Sequence, residues 1–312
     1  MNETLRLRQL ERTSPTLWTH MRLCELRAAL ATIPEADQWV LHDPRLWLGT
    51  AFHEVMKAVR SSTRTIDAQS AWNIAIARAV HAALEHPLDR RYSAPERWPS
   101  YFLVRQRCLS LASEVPPRVA PPHGSQKSEV QRAAKWGAER RFESHGGLLV
   151  GRPDFFDGNT IIEYKSNLPD PAWAGASLVI DSYRRQMRLY AAIIADASGK
   201  WPTSGRIVAA SGQTLEIDLD PAQCDAEAEA AIDSLRSLNR KISSGVRPHE
   251  LACVGPASCA GCPFKLVCGS FWTKLQEPKM LELPDASMTG KLVAGGWAGR
   301  RHLLGRHSSG RS

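Results

Sequence analysis

In the first third of the chain, apolar residues recur at helical spacing. Leu17, Met21, Cys24 and Ala28 line one side of residues 15–32 and predict an early helix. Pro44 opens a second, with Leu48, Phe52, Val55, Met56 and Val59 on one side. An alanine-rich helical pattern follows at 65–86, and a fourth at 97–114. The run PPRVAPPHGS at 116–125 reads as a loop or linker because of its prolines. The period then shortens. Residues 139–144, 148–156 and 160–165 predict three strands, with Asp-Gly-Asn at 157–159 as a hairpin turn. A long helical pattern spans about 177–196, two strands fit 205–211 and 213–219, and another helix fits about 221–243. Beyond about 284 the chain is rich in Gly, Arg, His and Ser, so 285–312 is expected to be a basic tail without order. No internal repeat interrupts this helix-then-α/β progression.

Composition narrows the picture. At 312 residues the chain holds one elaborated domain or two small ones. With 43% hydrophobic and 23% charged residues, bulk disorder is not expected. A net charge of +8 favours an anionic partner, nucleic acid first. The opening MNETLRLRQLERT has no apolar core of a signal peptide, and no segment reaches the roughly 18 apolar residues of a membrane span. A cytoplasmic protein without a membrane partner is expected. Of seven cysteines, four crowd into 253–268, which in a cytosolic chain reads as a metal site before a disulfide framework.

The stretch GRPDFFDGNTIIEYKS at 151–166 concentrates candidate chemistry. On a strand, Glu163 and Lys165 share a face while Ile162 and Tyr164 point to the other. A hairpin across the Asp-Gly turn would bring Asp154 near Glu163. Two converging carboxylates repel unless a cation or a proton lies between them. Their hard oxygens suit Mg²⁺ or Mn²⁺. Taken alone, Glu-x-Lys reads first as an ordinary ion pair on an exposed strand face.

Pro153-Asp154 followed by Glu163-Tyr164-Lys165 resembles the signature of the PD-(D/E)XK nuclease superfamily. LGTAFHEV at 48–55 resembles the Gly-Thr-x-x-His motif of RecB-type members, with His53 as a further metal ligand; where relatives often carry an acid four residues on, this chain has Lys57. YRRQMRLYAAII at 183–194 resembles their Q-x-x-x-Y motif, with Gln186 and Tyr190 stacked on one helical face. Cys259, Cys262 and Cys268 in CAGCPFKLVC are similar to the C-terminal cysteines of RecB-like nucleases with an iron–sulfur cluster, such as AddB, the CRISPR-adaptation exonucleases and exonuclease V. Their fourth cysteine lies far upstream, a place that Cys24 fills here.

The resemblance implies an α/β fold: a restriction-endonuclease-like core of mixed sheet flanked by helices, with an N-terminal helical insertion and a Cys-bound cluster region. It implies a tail at 1–13 and a nuclease domain at 14–272, with the insertion at about 60–130, the core at about 131–245 and a cluster segment at 253–270 closed by Cys24. His53, Asp154, Glu163 and the carbonyl of Tyr164 would hold Mg²⁺ or Mn²⁺; Lys165 would assist a water; Gln186 and Tyr190 would position DNA or the lysine. Glu139 would have a supporting role. Cys24, Cys259, Cys262 and Cys268 would hold a [4Fe–4S] cluster, with Zn²⁺ as the alternative ion and Cys253 as the alternative fourth ligand. The implied activity is a metal-dependent exonuclease on DNA that is single-stranded or duplex with ends, serving repair, CRISPR adaptation or another defence system. A helicase or an integrase-like protein would be its partner. A DNA-binding or assembly subunit with an unused core, and a restriction-type endonuclease, are the competing readings.

Overall fold

The computed structural model describes residues 6–40, 42–62, 65–115, 137–170, 175–259, 261–274, 287–293 and 296–302. The proline-rich linker expected at 116–125 lies outside them. The chain divides into two compact units, a larger one from 9–19 and 41–240, and a smaller one from 1–8, 20–40 and 241–312.

The N-terminal helical pattern breaks into α1 (Pro15–Leu23), α2 (Glu25–Leu30) and α3 (Pro34–Asp37). The helix expected to run unbroken through 15–32 stops at Cys24, which is extended (φ −168°, ψ 115°) and occupies the position before α2. Its sulfur accepts the Cys253 N–H at 3.4 Å, a contact that a mid-helix residue would present differently.

In the larger unit, α4 (Pro44–Ser61), α5 (Ala68–Glu85) and α6 (Tyr101–Glu114) match the three further helical patterns. Asp43 caps α4 by accepting the Arg45 N–H, and Pro44 occupies its first turn, where the missing N–H costs nothing. The five-stranded sheet contains β1 (Gly137–Ala138), β4 (Phe155–Phe156), β5 (Thr160–Lys165), β6 (Ser204–Ala209) and β7 (Thr214–Ile217), in the order β1-β4-β5-β6-β7. β2 (Phe142–Ser144) and β3 (Leu149–Gly151) form a separate antiparallel pair. The strand predicted over 148–156 is thus two strands. Pro153 cannot donate to a ladder, and the chain turns there from one sheet to the other.

β4 and β5 form the predicted hairpin, in which Asp157 accepts the N–H groups of Asn159 and Thr160 at 2.8 and 2.7 Å, and Gly158 supplies a φ of 102°. β5 then pairs with β6 in parallel, the crossover being α7 (Ala176–Ser198). A central parallel strand must be covered on both faces. Ile162 and Tyr164 join Phe52, Val55, Met56 and Trp72 in the core beneath α4–α6. On the opposite face Glu163 meets Gln186 of α7. α8 (Pro221–Ser243) buries Cys224, Ala228, Ile232 and Leu235, and its Asn239 clamps both main-chain groups of Leu10 at 2.8 Å.

The smaller unit buries Leu26, Ala28, Ala29, Leu30 and Leu251. α9 (Pro256–Cys259) and α10 (Gly269–Lys274) bring Cys259 against Phe271. Within the tail expected to lack order, β8 (Ser287–Val293) pairs antiparallel with β9 (Gly296–His302). Thr289, Leu292, Val293 and Trp297 are strand-favouring residues that the Gly- and Arg-rich composition concealed.

Candidate active site

α4 carries His53 to the end of the β4–β5 hairpin. Its Nδ1 lies 2.7 Å from Asp154 Oδ1. Asp154 uses its second oxygen to accept the Tyr164 N–H at 2.6 Å, so one carboxylate ties the helix to the central strand. Next along β5, Glu163 is 4% exposed. Its Oε1 accepts from Lys165 Nζ at 2.9 Å and from Gln186 Nε2 at 2.8 Å. Gln186 Oε1 in turn accepts from Lys165 at 3.2 Å, closing a three-membered ring of contacts. Glu163 Oε2 is buried with no hydrogen-bond partner among the described residues. Tyr190 sits one helical turn after Gln186 but is core-facing: it is buried, and its hydroxyl donates to the Arg152 carbonyl at 3.2 Å. Gly151 makes room for that ring, since a Cβ there would come within 3.0 Å of Tyr190 Cδ1.

The charges are not at rest in water. Burial pushes the Glu163 carboxyl above its ordinary value; Lys165 pulls it back and the Asp154 charge adds to the push. Burial works against a protonated His53, but the Asp154 hydrogen bond and charge, with Glu163, outweigh it and hold the imidazole above its ordinary value. Burial likewise opposes the Lys165 ammonium, and Glu163 and Asp154 more than offset it. Burial drives the Tyr190 phenol well upward, so it acts as a neutral hydroxyl. Two carboxylates, one of them with an orphaned buried oxygen, and an imidazole are a donor set that fits a hard divalent cation.

A groove of about 770 Å³ opens on this cluster, lined by Arg45, His53, Lys57, Arg78, Glu139 and Lys165 among others. Lys57, which stands where relatives often have an acid, reaches Glu139 at 2.5 Å, and Arg152 reaches the same carboxylate at 3.0 Å. Glu139 holds this place with a left-handed backbone (φ 49°). Three contributors had no signal in the sequence motifs. Arg60 donates to the Tyr164 hydroxyl at 2.9 Å, the Tyr183 ring lies 5.2 Å beneath Lys165, and Arg78 pairs with Glu54 at 3.1 Å. Each depends on a helix face whose partner is distant in sequence.

In the smaller unit, Cys24 joins the C-terminal cysteines. Burial raises the Cys262 thiol, and Cys24 and Cys259 are close enough for their charge to add to it. Cys268 is raised to about 11, first by burial and then also by Cys24, Cys262 and Cys259. Cys253 is exposed and touches Cys24 through its main-chain N–H.

These features define a PD-(D/E)XK-type core. The sequence model of the PD-(D/E)XK nuclease superfamily matches residues 12–269, and the chain belongs to that superfamily. Its members are nucleases that use divalent metals such as Mg²⁺ or Mn²⁺. No curated protein matches the chain. Among the described residues no helix is long and apolar enough to cross a membrane.

Proposed function

We propose that this protein is a metal-dependent deoxyribonuclease acting exonucleolytically on DNA with single-stranded character. The observation that carries the reading is the Asp154–Glu163–Lys165 constellation with His53 on one side and Gln186 on the other. His53, Asp154 and Glu163 would hold the cation, with the Tyr164 carbonyl as a further oxygen. A bound divalent ion supplies Lewis acidity toward the phosphodiester and a nucleophile at neutral pH. Lys165, kept as an ammonium by Glu163, aims a positive charge at the scissile phosphate and orients the attacking water. Gln186 fixes both Glu163 and Lys165, so the acid and the lysine keep one mutual geometry. Tyr190 acts at one remove, by holding the Arg152 carbonyl and with it the Pro153-Asp154 turn. Arg45, Lys57, Arg78 and Lys165 outnumber Glu54 and Glu139 along the groove, although Lys57 and Arg78 are paired with those acids, and the surplus of positive charge favours a polyanionic strand.

In the same reading Cys24, Cys259, Cys262 and Cys268 hold a [4Fe–4S] cluster that ties the early helices to the C-terminal segment. Cys24 and Cys259 lie near enough for their charge to bear on the Cys262 and Cys268 thiols, which supports this ligand set. Four thiolates would equally suit Zn²⁺, and colour separates the two. Anaerobically purified protein should be brown, with iron and sulfide; colourless protein with stoichiometric zinc refutes the cluster. A role in repair, CRISPR adaptation or another defence system, beside a helicase or integrase-like partner, is the setting this activity suits.

The activity is tested with labelled linear single-stranded, linear duplex and circular single-stranded DNA in Mn²⁺. Linear substrates should be degraded by wild type and spared by Lys165→Ala, with circles intact. Cleaved circles would make the enzyme an endonuclease. Equal absence of products from both proteins on every substrate would leave a DNA-binding subunit.

A further inference from the structure

A second constellation lies in the helical part of the larger unit and shares no residue with the nuclease centre. His42 stands just before the Asp43 cap of α4, His86 caps the C-terminus of α5, and Asp89 follows three residues later. Asp89 is fully buried, at 0% exposure. It precedes a short 3-10 turn, Arg90–Tyr92, yet its side chain makes no capping hydrogen bond there. The carboxylate instead turns inward. Oδ2 lies 2.6 Å from His42 Nδ1 and 2.8 Å from His86 Nδ1, and Oδ1 has no hydrogen-bond partner among the described residues. One donor atom from each of the three residues lies within 4.8 Å of the others.

A buried carboxylate is costly without positive charge beside it. The ion-pair partners of Asp89 among the described residues are both imidazoles, those of His42 and His86. A divalent cation would meet the deficit fully. Two borderline imidazole nitrogens and one hard carboxylate oxygen are the mixture that Zn²⁺ takes in sites with three protein ligands and one exchangeable position. Donors around a tetrahedral zinc stand about 3.3 Å apart for bonds of about 2.0–2.1 Å. Each imidazole would therefore withdraw by roughly half an ångström, within the reach of a side-chain rotation. The surroundings already orient the rings. Trp47 stacks on His42 at 5.9 Å, with Trp98 and Tyr92 packed on Trp47 at 5.2 and 5.5 Å. The two histidine rings meet edge to face at 5.0 Å.

We propose that His42, His86 and Asp89 form a second metal site, of the Zn²⁺ class, that clamps the start of α4 to the end of α5. It would brace the helix that carries His53, without itself touching DNA.

The test uses full-length purified protein, stripped with chelator, reloaded with ZnCl₂ and desalted. Wild type should retain one zinc per chain more than His42→Gln or His86→Gln, since glutamine still donates to Asp89 but offers no imidazole. Cysteine-bound and nuclease-centre zinc cancel in that difference. Equal zinc content in folded variants overturns the site and leaves a hydrogen-bonded His–Asp–His clamp. A readout on wild type alone covers variants that do not fold. Carbethoxylation of His42 and His86, followed by peptide mass spectrometry, should slow at least severalfold with ZnCl₂. Unchanged rates at both histidines refute the proposal.

Discussion

Gln186→Met isolates the part of the nuclease centre that only three dimensions assemble. Methionine keeps the length and helix propensity of glutamine, so α7 should persist. What disappears is a 2.8 Å donor to Glu163 Oε1 and a 3.2 Å acceptor for Lys165 Nζ. Hydrogen bonds to charged groups contribute about 1.5–3 kcal/mol. Glu163 and Lys165 keep their own 2.9 Å contact, so the pair is loosened rather than broken. If that stabilisation serves the transition state, kcat falls about 10- to 100-fold at about 1.4 kcal/mol per decade. The assay is single-turnover cleavage of labelled DNA at saturating Mn²⁺, with DNA affinity measured separately and thermal unfolding as the folding control. A kcat within about threefold of wild type would refute the claim that Gln186 positions the acid and the lysine. A loss seen only in DNA affinity would assign Gln186 to substrate binding instead.

Three other outcomes follow from the geometry. The His53 and Glu163 pKa values are both raised, so protons compete with the cation below those values. Mn²⁺ affinity at the Asp154-dependent site should therefore weaken as pH falls through the His53 pKa, by about tenfold per pH unit for each proton displaced; titrations at several pH values, corrected with Asp154→Asn, should show that slope, and a flat profile contradicts it. Cys24→Ser should abolish the bound cluster and lower the unfolding temperature, while Cys253→Ser should leave both near wild type, as read by iron content and calorimetry; the reverse pattern would make Cys253 the fourth ligand. Gly151→Ala forces a methyl to within 3.0 Å of Tyr190 and should destabilise by about 1–3 kcal/mol in chemical denaturation, since overpacked cores must shift to accommodate it.

Periodicity and turn chemistry were sufficient wherever local physics governs. α4, α5, α7 and α8 follow the 3.6-residue spacing of their apolar faces, and the β4–β5 turn follows from Asp157-Gly158. Local pattern failed at Cys24, Pro153 and the C-terminal hairpin. There the backbone answers to a distant sulfur contact, a missing donor or a pairing strand, none of which a short window encodes.

The same division holds for chemistry. The spacing of Glu163 and Lys165, and of Gln186 and Tyr190, determined by itself which side chains share a face, because strand and helix periods are properties of the backbone. The sequence motifs likewise sufficed to nominate His53, Asp154 and the cysteines. Tertiary structure alone decided that Tyr190 faces the core, that Lys57 answers Glu139, and that the Cys24 sulfur meets the Cys253 main chain. It also decided that His42, some forty-five residues before His86 and Asp89, turns onto the same carboxylate. Such contacts cross tens to hundreds of residues. They are set by how helices pack on a sheet, and packing is not written in any local run of the chain.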